Sequence, residues 1–207
     1  MNKYLTLSLL AIFILVACQK RYTNEFQWLI ETSDNKASII DLKKFKDDSV
    51  EVKIPKNWNI KISSDIWKYF PYDENNPKLY FAIQKYNSNE IGMNSKEYVM
   101  EGFKQVSDKI DKFHYTIKRL SLKNGKVCYL STIFTNEKGI NYITYSLVCE
   151  SDSLIYDFAF KVIENEKDNI VDYRKFLLIA QSFEFNNIAP IGNETIIKEE
   201  EIKFEDI

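Results

Sequence analysis

Histidine is nearly absent from this chain of 207 residues: His114 is the only one. A catalytic triad or a histidine metal site needs an imidazole set among Ser, Cys or carboxylate partners. His114 alternates with Phe113 and Tyr115 in "FHYT" and reads as a solvated strand residue. Arginine is scarce too (Arg21, Arg119, Arg174), which leaves little for bidentate phosphate clamps. Five Gly and four Pro exclude a low-complexity or linker-rich chain. Gly-rich phosphate loops, calcium-loop spacings and Cys-x-x-Cys pairs are missing. Carboxylate runs exist, Asp47-Asp48 and Glu199-Glu200-Glu201, but they sit in polar stretches whose default is a solvated face. No enzyme is legible here, and no cofactor or metal ligand set.

Charge of either sign is not in excess. Residues 1–17 hold one of the 28 basic residues and no acid, so the rest has 27 basic against 30 acidic residues. Nucleic acid is an unsuited partner, since no basic excess can release phosphate counterions. What the chain does have is aromatic residues, 14 Phe and 13 Tyr, enough for a large core in one domain.

The N-terminus carries a different signal. Lys3 precedes an apolar run from Leu5 to Val16, broken only by Thr6 and Ser8. That run is too short to span a bilayer, which takes about 20 apolar residues. It has the shape of a secretory signal. It ends Leu15-Val16-Ala17-Cys18, followed by the polar run from Gln19. These four residues resemble the lipobox of bacterial lipoproteins, in which the cysteine thiol takes a diacylglycerol group and the chain is cut before it. The resemblance implies a signal peptide at 1–17, lipidation at Cys18 and a tether at 18–25. It further implies anchorage to a bacterial envelope membrane. Gln19, in place of an inner-membrane retention aspartate, leans toward the outer membrane where one exists.

Beyond the tether, 26–48 shows no clean period, and 26–187 reads as one domain. "VEVKIP" alternates as a strand that Pro55 stops; "NIKISSDIWKYF" and "KLYFAIQKYN" follow. Val99, Phe103, Val106 and Ile110 form one stripe of a helix at 95–110, with an Asn94/Glu97 capping box. Four strands come next: "FHYTIKRLSL", "KVCYLSTIFT", "INYITYSLVC" and "LIYDFAFKVI". The short turns between them predict an antiparallel meander. A second helix is expected at 169–181, capped by Asp168, then "SFEF". The acidic 188–207 reads as a loosely ordered tail.

This order, with Pro55-x-x-Trp58 in "KIPKNW" and Ser182-Phe183 in "QSFEF", resembles the Mog1/PsbP-like fold. The resemblance implies an α+β domain: an antiparallel sheet meander flanked by helices in an α/β/α sandwich. Members of that fold are non-enzymatic protein binders.

Cys128 and Cys149 fall on neighbouring strands. With Lys138-Gly139 as a two-residue turn, Glu137 faces Ile140 and Cys128 faces Cys149 as a non-hydrogen-bonded pair. A three-residue loop would instead set Cys128 opposite Val148. A disulfide and two buried free thiols both fit an exported protein. The stretch 65–80 packs Trp67, Tyr69, Phe70 and Tyr72 together. Aromatic clusters make either core or a docking hot spot. The expectation is a non-catalytic, membrane-anchored envelope protein that binds another protein. The alternative is a carrier or sensor of a small apolar ligand, which would show itself as a cavity between sheet and helix.

Overall fold

The computed structural model describes residues 42–47, 49–70, 79–109, 113–165, 169–192 and 194–203. The expectations at Cys18, the signal segment, the tether, Tyr72, Ile110 and the Asp168 cap lie outside them.

Alternating strands joined by tight turns build an eight-stranded antiparallel sheet in the order β11-β6-β7-β8-β9-β5-β4-β3. Its members are β3 (Asn59–Ser63), β4 (Ile66–Phe70), β5 (Tyr80–Asn87), β6 (Phe113–Leu122), β7 (Val127–Glu137), β8 (Ile140–Ser151), β9 (Leu154–Ile163) and β11 (Ile196–Ile202). A three-stranded sheet joins β1 (Leu42–Lys46), β2 (Val50–Pro55) and β10 (Glu184–Phe185). The helices are a single turn α1 (Ser88–Ile91), α2 (Ser95–Lys109) and α3 (Asn169–Ser182). The fold is α+β.

The meander registers follow from turn chemistry. Glu137 pairs with Ile140 and Cys128 with Cys149, with Lys138 and Gly139 both at positive φ (54° and 83°). Two left-handed residues are what a type I′ hairpin requires, and its twist matches that of the strands. Cys128 and Cys149 are bonded, their Cα atoms 4.5 Å apart, the close spacing of a non-hydrogen-bonded pair.

Because side chains alternate across a strand, the large sheet has two different faces. On one, Phe81, Tyr156, Phe158, Phe160, Tyr145 and Leu147 bury against α3 and the small sheet. Phe176, Leu177, Ile179 and Ala180 of α3 complete this core, each large side chain contributing roughly 1.5–3 kcal/mol. The two stretches that carried the fold resemblance meet here. Trp58 follows Pro55 through a 3.1 Å turn bond and sets its ring against Phe160. Ser182 accepts the Lys53 N–H at 2.9 Å, and Phe183 is fully buried.

On the other face α2 packs through Val99 and Phe103 onto Ile117, Tyr129, Val148 and Ile155, with Ile91 of α1 beside it. Its start is the reciprocal capping box: Glu97 N–H donates to the Asn94 amide oxygen, and Asn94 N–H to the Glu97 carboxylate.

One expectation needs correction, and two stretches left open in the sequence take definite form. The stretch 59–70 is a hairpin, β3 turning at Ser64 and Asp65 into β4. The ambiguous 26–48 contains β1, whose Phe45 packs on Tyr69. Over Ile196–Ile202 the acidic tail is not loose, because β11 pairs there with β6. Its glutamates find cations on β6, Glu199 with Lys118 (2.7 Å) and Glu200 with Arg119 (3.3 Å). Ile196 is buried against Leu122. Run alone, three glutamates give no period; opposite two cations they make an edge strand. Glu199 is accordingly no solvated-face residue, its side chain being only 13% exposed.

Candidate functional site

The α2 face of the sheet has a hollow, and its cause is the choice of side chains. Ser131, Ser146, Ala159 and Ala82 stand directly opposite one another across β7, β8, β9 and β5. Four small residues in one row lower the sheet surface where α2 crosses it. The helix rests on the larger neighbours to one side and stands off beyond them. The result is a cleft of about 440 Å³ between α2 and the sheet. Its walls are apolar or aromatic: Ile91, Met93, Val99, Phe103, Val106, Tyr86 and Tyr98. Its floor on the sheet mixes polar Ser131, Thr144, Ser146 and Asp157 with apolar Ile133, Val148 and Ala159, and α2 adds Glu101 and Gln105.

Gly102 lies on α2 at the cleft, and a methyl group added there would meet nothing within 4 Å. An interior helix glycine costs roughly 1 kcal/mol relative to alanine. Here the missing side chain leaves the cleft open.

Asp157 is the chemical centre. It lies on β9 opposite Val148 and Gln84, between core residues Tyr156 and Phe158, so its side chain emerges on the α2 face. The Tyr98 hydroxyl donates to Asp157 Oδ2 at 2.9 Å, and the Ser146 hydroxyl to Oδ1 at 3.4 Å. Burial pushes the Asp157 carboxyl above its usual range, and the two hydroxyl bonds only partly oppose this. Burial first, and then the charge of Asp157, drives the Tyr98 hydroxyl far above the ordinary phenol range, so it stays a donor. Tyr86 stands beside it, ring centroids 5.3 Å apart, its hydroxyl donating to Gln84 at 3.0 Å. Among the described residues no ion pair reaches Asp157. Lys161, four residues on along the same face, pairs with Glu137 and lies 4.7 Å from the Tyr142 ring centroid.

The residues singled out in the sequence lie elsewhere. Trp67 and Tyr69 are 3% and 0% exposed, packed against Phe183 and Phe81. They are core, which removes them as docking residues; Phe70 ends β4 beside them. The Cys128–Cys149 bond lies on the core face, away from the cleft. His114 is exposed on β6, apart from the cleft lining. Among the described residues no group of three or more His, Cys, Asp and Glu could hold a metal ion.

The apolar alternation of "LIYDFAFKVI" masks Asp157 in the sequence. A signal was present in the other half of the same pattern. An acid in mid-strand, in the middle of a meander, with serines and alanines at the facing positions, marks a hollow with a charge in it.

No family model matches the chain, and no curated protein matches it. Solved structures similar to it include a cyanobacterial PsbP from Synechocystis sp. PCC 6803, with a TM-score of 0.46, 11% identity, and coverage of 70% of this chain and 92% of that one. A protein from Bacteroides thetaiotaomicron is similar at 0.41 and 14%, over 70% of this chain; the match spans about half (49%) of that longer chain. A Pseudomonas aeruginosa protein of unknown function gives 0.41 and 14%, over 64% and 88%. Similarity at this distance concerns the course of the backbone and transfers no activity.

Proposed function

We propose that this is a non-catalytic binding protein, held at a bacterial envelope membrane through lipid on Cys18, whose cleft under α2 receives a small molecule. The observation that carries the reading is the cleft itself. Its volume, about 440 Å³, falls within the roughly 300–1,000 Å³ of small-molecule sites, and its mix of apolar wall and few convergent polar groups is theirs too. A small ligand therefore takes precedence over the docking of another protein, whose readable hot-spot residues Trp67 and Tyr69 are buried. Lipid anchorage would confine the domain to the membrane plane and raise its effective concentration there.

The test is to isolate the full chain from bacterial membranes and identify its co-purifying small molecules by native mass spectrometry. Wild type should carry a ligand that Gly102→Leu, with its cleft filled, does not. The same molecule on both proteins, or a stoichiometric protein retained equally by both, would end the reading.

A further inference from the structure

We propose that the cleft selects a cation: a small organic ammonium whose nitrogen meets the Asp157 carboxylate while its apolar body lies against Tyr86 and Tyr98. This deepens the small-ligand reading and rests on it.

Charge is the first argument. The cleft lining includes two carboxylates, Asp157 and Glu101, and among the described residues no lysine, arginine or histidine. An anionic ligand would meet like charge at the floor and at the rim. A neutral apolar ligand would bury the Asp157 carboxylate more deeply with no counter-ion, and such burial is costly. A cation alone among the three classes turns the existing cost into an attraction.

Incomplete satisfaction of the carboxylate is the second. A carboxylate has about four acceptor positions. Asp157 receives two neutral hydroxyl donors, one close at 2.9 Å and one long at 3.4 Å. Lys161, four residues further along β9, is engaged with Glu137. Acceptor capacity is thus left over in a site that a ligand can enter.

The third is the wall. Tyr86 and Tyr98 present two rings 5.3 Å apart and inclined by 40°. Ring faces carry negative quadrupole charge and draw organic cations. The same rings give an apolar tail its contact area. A carboxylate and two tyrosine rings occur here together, Tyr98 bonded to Asp157 and Tyr86 beside it.

The experiment uses the full chain in phosphatidylcholine nanodiscs, titrated calorimetrically at pH 7 with heats from empty discs subtracted. The probes share one body and differ in head: 2-phenylethylammonium, 2-phenylethanol and 3-phenylpropanoate. The ammonium should bind about 10- to 100-fold tighter than the alcohol, the worth of one charge-assisted hydrogen bond, and the acid should give no heat. Asp157→Asn should bring the affinity for the ammonium down to that for the alcohol. Equal binding of all three heads, or ammonium binding that survives Asp157→Asn, would overturn the cation and leave the cleft reading standing. No binding of any probe would overturn the cation as well, while the small-ligand reading would still stand or fall by the Gly102→Leu comparison. Circular dichroism of both variants separates lost affinity from lost fold.

Discussion

The Tyr98 hydroxyl donates to the Asp157 carboxylate at 2.9 Å across 59 residues of sequence, tying the first turns of α2 to the centre of the large sheet. The bond closes one side of the cleft and sets its charge at the floor. Removing either partner should therefore disturb both stability and binding. In a double-mutant cycle with Asp157→Asn, Tyr98→Phe should show a coupling of about 1 kcal/mol or more, measured by urea unfolding. Strict additivity would mean that the two groups do not interact in solution.

Asp157 should make stability depend on pH. Its carboxyl is raised in the folded state, so between the unfolded value, about 3.9, and the raised folded value the native state holds more protons. Stability then falls as pH climbs through that window and is fully retained below it. Among the described residues, Tyr98 and Glu101 on α2 and Tyr80 and Tyr86 on β5 are the ionisable groups near it. Asp157→Asn removes the cost. That variant should be more stable than wild type at pH 7 and equal to it near pH 3.5, by denaturation across the range. A variant less stable at pH 7 would contradict the assignment. A stability gain paired with lost binding is the trade expected of a functional residue.

Gly102→Ala should stabilise the protein by roughly 0.5–1 kcal/mol. The new methyl group meets nothing within 4 Å, and the helix loses its most flexible residue. Thermal unfolding would show a rise in Tm; a fall would mean that the position is crowded after all.

Ile196→Ala should cost about 2–4 kcal/mol, the usual range for truncating a buried aliphatic side chain. Ile196 is 2% exposed where β11 closes the edge of β6. If the C-terminal segment were a loose tail, chemical denaturation would detect no change.

Replacing both Cys128 and Cys149 by alanine should cost about 2–4 kcal/mol, since the bond closes a loop with a sequence separation of 21. Binding at the cleft should be unaffected, because both sulfurs lie on the opposite face of the sheet. Coupled loss of ligand affinity would show that the two faces communicate.

Local chemistry was legible wherever neighbours in sequence are also neighbours in space. The capping box at Asn94 and Glu97, the stripe of α2 and the Lys138-Gly139 turn all depend on spacings of a few residues. From that one turn the whole β7–β8 register follows by counting, down to Cys128 opposite Cys149. Trp67 and Tyr69 were ambiguous because aromatic clusters look alike in a core and on an interface. Only the arrival of Phe183 and Phe185 from the far end of the domain covers Trp67.

The sequence by itself determined the meander and the helix at α2, because hydrogen-bonded turns and side-chain periods act over short distances. Tertiary structure alone decided that β11 joins β6, since glutamates 199–200 become strand residues only when Lys118 and Arg119 face them. It alone made the cleft as well. Ala82, Ser131, Ser146 and Ala159 come from four strands, and their smallness matters only when register aligns them beneath a helix. An empty volume is a relation among distant residues, so no single segment of the chain could announce it.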